Sequence, residues 1–163
     1  MTIQARRLSY ILLSLNNSRS LTMTSSNQQP THRYRYSHFE SSLAPVIQIS
    51  LKSRSDSASL QCSALLDTGS PKTFVPASML EDIGSKPFGR VKHMGGAANG
   101  KMLTAKHKVL LRICDLDFQK YEIWSWSNDK SFILLGRDIL NLCLSSFYGP
   151  QKTFELAIGS PRD

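Results

Sequence analysis

The sequence is poor in features that cross-link a small protein or anchor it in a membrane. Three of its 163 residues are cysteine, and they have no metal-type spacing. Because Cys62, Cys114 and Cys143 each lie among apolar neighbours, we expect buried reduced thiols rather than a disulfide framework. The single apolar patch of the N-terminal region, Leu8–Leu15, is far shorter than the ~20 residues of a membrane helix. We therefore expect a cytoplasmic protein without a membrane span.

Acidic residues are scarce as well, with 12 Asp and Glu against 20 Lys and Arg and a formal net charge of +8. A basic protein is a candidate for nucleic-acid binding. No run of Lys and Arg and no interleaved aromatic pattern supports that function in this sequence. We therefore expect no nucleic-acid partner.

Residues 1–42 differ in composition from the rest of the chain. They are rich in Ser, Asn, Gln and Arg, and Glu40 is their one acidic residue. A basic, acid-poor segment of this kind is typical of an organelle-targeting or secretory leader. A disordered tail, or an upstream extension with Met23 as the working start, is favoured over such a leader because no clear small-residue cleavage site follows the apolar patch. We expect the folded domain to cover residues 43–160.

From Pro45 onward, short segments of β-like pattern alternate with turn signals. Val46–Leu51 alternates apolar and polar side chains, as a half-buried strand does. Phe132–Gly136 is a continuous apolar run, which is typical of a strand buried on both faces. Further strands are predicted at residues 60–66, on both sides of the glycines at 95–100, at 118–126 and at 152–158, and short helices at 76–84 and 137–144. The fold class is therefore mainly β with one or two short helices.

Two motifs carry the chemistry of the sequence. The segment SALLDTGSPKTFVP, Ser63–Pro76, places Asp67 directly after an apolar strand and before a glycine turn. An ionised carboxylate at the edge of a core carries a desolvation cost, which hydrogen bonds or a cation must offset unless the cost is functional. The second motif, ILLGRDIL at Ile133–Leu140, has its glycine 69 residues after the aspartate. A structural Asx turn at a strand end is the alternative role of Asp67.

Together the two motifs resemble those of the retroviral-type (retropepsin-like) aspartic proteases, over roughly Pro45–Ile158. The resemblance implies a retropepsin-like acid protease half-barrel that hydrolyses peptides or proteins without a cofactor or metal. Such hydrolysis uses two carboxylates that share one proton and hold a water between them. Because the chain has a single Asp-Thr-Gly, the second carboxylate must come from another copy in a two-fold homodimer. We therefore expect an aspartic endopeptidase.

The resemblance assigns catalysis to Asp67 and supporting roles to the three residues after it. Thr68 is expected to hydrogen-bond across the dimer, and Gly69 to let the backbone approach substrate closely. Ser70 is expected to donate a hydrogen bond to Asp67. The active-site loop thus covers residues 67–70.

Two further groups of residues take roles from the resemblance. A flap that closes over bound peptide is expected at the glycine-rich tip, at Met94, Gly95, Gly96 and Ala97. A brace for the active-site loop and the dimer, without a chemical role, is expected at Gly136, Arg137 and Asp138. The final strand, Lys152–Ile158, is expected to enter an intersubunit sheet.

One position departs from the family pattern. Many retroviral members have a second aspartate four residues after the catalytic one, which pairs with the arginine of Gly-Arg and offers its backbone N–H to substrate. This chain has Pro71 there, which has no N–H. Arg137 must then find another partner, and Asp138 and Glu81 are the candidates. The alternative function is therefore a catalytically weak or inactive dimer of the same fold that binds peptides as a scaffold.

Two tryptophans and two histidines lie between the motifs. Trp124 and Trp126 are two residues apart and share one face of a strand, where core or dimer packing is favoured over a substrate groove. His93 and His107 have no partner in the sequence pattern, so we expect surface positions for them.

Overall fold

A computed structural model describes residues 32–54, 59–95, 101–113, 119–126 and 132–158. The strands in this part of the chain are β1 (His32–Arg35), β2 (Ser37–Phe39), β3 (Ser42–Ala44), β4 (Val46–Ser53), β5 (Ser59–Leu66), β6 (Phe74–Pro76), β7 (Pro87–Gly95), β8 (Lys101–Ile113), β9 (Gln119–Trp126), β10 (Ile133–Leu135), β11 (Cys143–Tyr148) and β12 (Thr153–Ile158). The helices are α1 (Ala77–Asp82) and α2 (Arg137–Leu140). The prediction of a mainly β fold with short helices is confirmed.

Seven strands form one mixed sheet in the order β4-β5-β10-β6-β9-β8-β7. β10 is parallel to β5 and β6 is parallel to β9, whereas the other neighbours are antiparallel. β4 also pairs with β8, from Ile49 opposite Ile113 to Ser53 opposite Val109. This extra pairing closes the sheet into a barrel, and β7 extends it along the first half of β8.

Aliphatic side chains from alternate strand positions fill the barrel. In β8, for example, Val109, Leu111 and Ile113 are buried, whereas Leu110 and Arg112 between them are half-buried and Lys108 before them is exposed. In the central strand β10, Ile133 and Leu135 point inward and are fully buried. Each strand of the barrel therefore has an inner face toward the core and an outer face, and functional side chains lie on the outer one.

A second, smaller sheet joins the two ends of the described chain. β12 lies between β1 and β11 and is antiparallel to both. Tyr34 stacks on Phe154 with ring centroids 5.2 Å apart, and Tyr36 also packs on this ring. Residues 32–42, whose polar composition assigns them to the leader, thus include strands that belong to the folded unit. The composition misses them because only alternate side chains of β1 contact the core.

The position of β12 differs from the sequence expectation for the final strand. Both of its edges are paired within the chain, by β1 and by β11. It therefore has no free edge at which a strand of another subunit could pair. In the described part of the chain β1 and β11 each pair with β12 alone, so both outer edges of this three-stranded sheet are open.

The helices are shorter than the predicted ranges, for local reasons. α1 ends where Gly84 takes a φ of +66° and the N–H of Ser85 donates to the carbonyl of Leu80 at 2.8 Å. α2 covers the first four residues of the range predicted as helix, after which the chain turns into β11. β11 pairs with β12 along its whole length, and this pairing, which the sequence pattern did not indicate, ends the helix.

Candidate active site

Asp67 stands at the end of β5, where its backbone N–H donates to the carbonyl of Leu135 at 2.9 Å. Its carboxylate is half-buried, and Oδ1 accepts hydrogen bonds from the backbone N–H groups of Gly69 at 2.9 Å and Ser70 at 3.2 Å. Among the described residues no donor bonds Oδ2. One oxygen is thus held by the loop, and the other is open to water. The contact with Gly69 is an Asx turn. Both the structural and the catalytic role of Asp67 include such a turn, so the turn does not distinguish between them.

Gly69 gives the carboxylate the room it needs. A Cβ at this position would lie 3.1 Å from Oδ1 of Asp67, closer than nearly all real Cβ contacts. A larger residue would push the carboxylate away from the two N–H groups that orient it. The close approach of backbone and side chain therefore favours glycine at this position.

Ser70 contacts another group than the sequence predicts. The hydroxyl of Ser70 donates to the carbonyl of Lys72 at 2.6 Å, so its backbone N–H rather than its side chain reaches Asp67. The expected hydroxyl–carboxylate bond is absent, because the loop turns back after Ser70 and brings the Lys72 carbonyl nearer. Thr68 is exposed, and its carbonyl faces Arg137.

Arg137 holds the loop through backbone carbonyls. Its Nη1 donates to the carbonyl of Thr68 at 2.7 Å and to that of Gly69 at 3.2 Å. Its backbone N–H donates to the carbonyl of Ser70 at 2.9 Å. The candidates from the sequence, Asp138 and Glu81, are thus not its partners in the described structure. A guanidinium can reach two adjacent carbonyls from one nitrogen, and this geometry replaces the ion pair that Pro71 removes.

Thr73 is a residue of the site that the sequence analysis missed. It is fully buried, its hydroxyl donates to Oδ1 of Asp138 at 2.8 Å, and its backbone N–H donates to Oδ2 at 3.0 Å. The same hydroxyl accepts from the N–H of Gly136 at 3.0 Å. Thr73 thus joins the end of the active-site loop to the second motif. The one signal in the sequence is a polar residue placed directly before the apolar run of β6.

Gly136 is required by packing rather than by backbone conformation. Its φ of −87° is open to any residue. A Cβ there, however, would overlap with the carbonyl carbon and oxygen of Lys72. The second motif thus contacts the loop between Asp67 and Thr73 along most of its length. Arg137 contacts its beginning, Gly136 packs on Lys72, and Asp138 binds its end at Thr73.

The residues expected in the flap fall at the end of the β7–β8 hairpin. Met94 pairs with Met102 and Gly95 with Lys101, so the backbone of both belongs to the last pairs of that hairpin. Gly96 and Ala97 lie outside the described residues. The hairpin itself, as predicted, extends from the barrel between the two motifs.

An apolar row crosses the outer face of the sheet beside Asp67. Leu66 points into the barrel, so Leu65 and Asp67 on either side of it point outward. From Leu65 the cross-strand neighbours continue through Leu134, Phe74 and Trp124. Trp126 stacks on Phe74 with centroids 5.9 Å apart, and Phe132 contacts Trp126 edge-on at 5.4 Å. Trp124 and Trp126 thus pack together with Phe74, as their spacing predicts, in a cluster separate from the barrel interior.

His107 is buried, although we expected a surface position. It is 6% exposed, and its Nδ1 lies 3.2 Å from the hydroxyl of Ser85. Burial lowers its pKa below the ordinary value, and the hydrogen bond with Ser85 opposes this shift. The burial of His107 is not evident from the sequence, because its neighbours Lys106 and Lys108 are basic and lie on the opposite face of the strand.

No group of three His, Cys, Asp or Glu side chains among the described residues is arranged to hold a metal ion. No helix among the same residues is long and apolar enough to cross a membrane.

Comparison with known families and proteins bears directly on this geometry. The aspartyl protease family model matches residues 56–139, just over half of the chain. Similar solved structures include the EIAV protease complexed with the inhibitor HBY-793, with TM-score 0.45 and 21% identity over 64% of this chain and 92% of that one. A retropepsin-like aspartic protease from Rickettsia conorii gives TM-score 0.49 and 13% identity over 86% of this chain and 94% of that one. The curated proteins give no match.

The matched segment contains both motifs, from before Asp67 to Asp138. It also contains Thr73 and Arg137, which connect those motifs in the structure. The predicted family is confirmed: the chain belongs to the aspartyl protease family.

Proposed function

We propose that the protein is an aspartic endopeptidase in which two Asp67 carboxylates, one from each subunit of a homodimer, activate water for peptide-bond hydrolysis. The observation that carries this proposal is the state of the Asp67 carboxylate. Its Oδ1 is held by two backbone N–H groups, and its Oδ2 accepts no hydrogen bond from the described residues. A carboxylate in this arrangement is oriented by the protein and can still bind a water molecule.

The second carboxylate is supplied by another copy of the chain. Asp138 is the other aspartate of the two motifs, but both of its oxygens accept hydrogen bonds from Thr73. It is therefore committed to holding the loop and cannot share a proton with Asp67. A two-fold axis that passes beside Asp67 brings two equivalent carboxylates together.

The reaction requires no covalent intermediate. One Asp67 takes a proton from the water as the water oxygen attacks the peptide carbonyl carbon, and the other donates a proton to the carbonyl oxygen. The tetrahedral intermediate then collapses: the C–N bond breaks, the leaving nitrogen takes the proton that the first Asp67 received from water, and the hydroxyl formed on the carbonyl oxygen returns its proton to the second Asp67. Arg137 and Thr73 act at a distance from this chemistry by fixing the loop that carries Asp67.

The dimer contact is proposed at β11. This strand has an open edge, and three large apolar side chains at or beside it are exposed: Leu142 by 51%, Leu144 by 58% and Phe147 by 40%. An exposed apolar edge strand pairs readily with another strand. Antiparallel pairing of two β11 strands gives a six-stranded intersubunit sheet. α2, which begins with Arg137, connects this edge directly to the active-site loop.

The half-buried part of the apolar row, Leu65 and Leu134, is the proposed binding surface for substrate side chains. Both lie on the outer face beside Asp67, whereas Phe74 and Trp124 further along the row are buried. Such a surface favours peptides with bulky apolar residues next to the cleaved bond.

The first test is cleavage of a diverse peptide library, from acid to neutral pH, by the wild type and by Asp67→Asn. The amide has nearly the same shape as the carboxylate but cannot act as the base, so activity should fall by at least about 100-fold. Asp82→Asn, an exposed aspartate at the end of α1, is the matched control and should retain activity. Cleavage by Asp67→Asn at the wild-type rate would contradict the mechanism. No cleavage by a folded wild-type dimer would favour the peptide-binding scaffold, and Pro71→Asp is then the variant to test.

The second test addresses the dimer. Leu144→Lys places a charge on the proposed contact and should give a monomer without activity in sedimentation and cleavage assays. Val91→Lys changes an equally exposed side chain, 55% exposed on β7, and should leave the oligomeric state unchanged. A dimer that persists in Leu144→Lys would place the contact elsewhere.

A further inference from the structure

We propose that the outer surface of β4, β8 and β9 binds nucleic acid through its phosphate backbone, independently of the protease site. This surface, called here the basic face, comprises Lys52, Arg54, Lys106, Lys108, Arg112 and Lys120. Five of the six residues come from three strands and Arg54 directly follows β4, which explains why the sequence has no run of basic residues. The fold gathers them.

Strand alternation and register place these side chains together. The inward-pointing residues of β8, such as Val109 and Leu111, are in the core, so Lys108 and its even-numbered neighbours point outward. Lys106 lies opposite Trp124, and Leu110 lies opposite both Lys120 on β9 and Lys52 on β4. Arg112 lies opposite Ser50 and donates to its hydroxyl at 3.2 Å.

The charge of the basic face is almost entirely of one sign. Among the described outward residues of these three strands, the one acid is Glu122, which lies 3.8 Å from the ammonium group of Lys106. Six cations against one anion among these described residues favour a positive potential on this surface. Charges this close together raise the local potential and attract a polyanion.

A shallow pocket of about 200 Å³ lies within the basic face. Its lining includes Arg54, Lys108 and Lys120 together with Glu122 and Tyr121. Three cations around one concavity suit a phosphate group, which has oxygens on several sides.

Two of the lysines are positioned by aromatic rings. The ammonium group of Lys106 lies 5.3 Å from the ring centroid of Trp124, and that of Lys108 lies 4.7 Å from the centroid of Phe88. These contacts hold the cations near the surface. The ring of Trp124 is 93% buried and cannot stack on a base, so the surface recognises phosphate rather than sequence.

The distribution of apolar side chains favours nucleic acid over an acidic protein as the partner. Protein interfaces are anchored by apolar and aromatic residues at their centre. The large apolar side chains that are most exposed in the described structure lie outside the basic face: Leu43, Val91, Leu103, Leu142, Leu144 and Phe147. Binding by charge alone is typical of contacts with a phosphate backbone.

The test is fluorescence anisotropy with a short single-stranded DNA of mixed sequence, titrated with the full chain at several salt concentrations. About five phosphate contacts give a slope of roughly −3.5 for log K against log salt, so affinity should fall about 100-fold between about 50 and 200 mM salt. The triple variant Arg54→Gln, Lys108→Gln, Lys120→Gln should reduce the slope by about 2. An oligonucleotide of different sequence should bind about equally, and Asp67→Asn should bind as the wild type does.

The control removes the same charge elsewhere. The control is the triple variant Arg35→Gln, Lys86→Gln, Lys152→Gln. Its three positions lie outside the basic face, so its salt slope should stay close to that of the wild type. Equal losses in both triple variants would show that binding follows net charge, which contradicts the proposal. Absence of binding at low salt would also overturn the proposal. Displacement of the DNA by poly-glutamate at equal charge concentration would overturn it as well, because it would identify an acidic protein as the partner.

Discussion

Thr73 and Asp138 lie 65 residues apart in the sequence and form two hydrogen bonds, from the threonine hydroxyl at 2.8 Å and from its backbone N–H at 3.0 Å. Both oxygens of the carboxylate are thereby occupied. The hydroxyl also accepts from the N–H of Gly136, so one fully buried side chain joins the two motifs. The position of Asp67 in the structure depends on this junction, because the loop from residue 67 to 73 is fixed at both of its ends.

Replacing Thr73 by valine should destabilise the fold. The change keeps the shape of the side chain but leaves the Gly136 N–H and an oxygen of Asp138 without their partner. Leaving buried polar groups unpaired costs about 1–3 kcal/mol in the free energy of unfolding. Urea denaturation at fixed protein concentration measures this loss. Thr73→Ser keeps the hydroxyl and should lose about 1 kcal/mol or less, from one methyl group; equal losses for both variants would refute the role of the hydroxyl.

Gly136→Ala should destabilise the protein by about 1–3 kcal/mol or more, because the added methyl group overlaps with the backbone of Lys72, which cannot rotate away as a side chain can. Gly149→Ala is the matched control, since nothing lies within 4 Å of a Cβ there. Its effect should stay within about 0.5 kcal/mol. Thermal or urea unfolding of the two variants distinguishes them. A Gly136→Ala protein as stable as Gly149→Ala would mean that the two motifs do not pack as described.

Stability should decrease at acid pH because of His107. Its pKa is lowered by burial in the folded state, whereas the unfolded chain has the ordinary value of 6.5. Below pH 6.5 the unfolded state therefore binds more protons, and stability rises with pH until it is complete above that value. Urea midpoints between about pH 5 and 8 should show this rise. The rise should shrink in His107→Gln and persist in His38→Gln, which changes an exposed histidine; an unchanged profile in His107→Gln would assign the effect to another group.

Cys62 should be nearly unreactive in the folded protein. Burial raises the pKa of its thiol from 9.0 to about 12. The thiolate is the reactive form, so its fraction at neutral pH is roughly 1000-fold lower than in the unfolded chain. Alkylation with iodoacetamide, followed by mass spectrometry of the peptide that contains Cys62, measures the rate. The same reaction in urea is the control, and equal rates with and without urea would contradict the burial of this thiol.

The sequence predicts seven of the twelve described strands, among them β7 and β8 on both sides of the glycines and β10 from its apolar run. β4, β5, β9 and β12 were recognised because alternation with a period of two is a local property. β1 and β11 were missed because one is short and polar and the other continues a helical pattern. Each is a strand because it pairs with β12, and that pairing joins distant parts of the chain.

The sequence by itself determined the family and the position of its central aspartate, because Asp-Thr-Gly-Ser and Gly-Arg-Asp are contiguous and their turn chemistry is local. The tertiary structure decided the partners of those residues. It brought Arg137 to the carbonyls of Thr68 and Gly69, gave Ser70 and Thr73 their contacts, and turned His107 into the core. It also gathered six scattered basic residues on one face of the barrel. These contacts join strands that are far apart in the chain, and their geometry is set by sheet register and loop packing, which no local pattern of residues specifies.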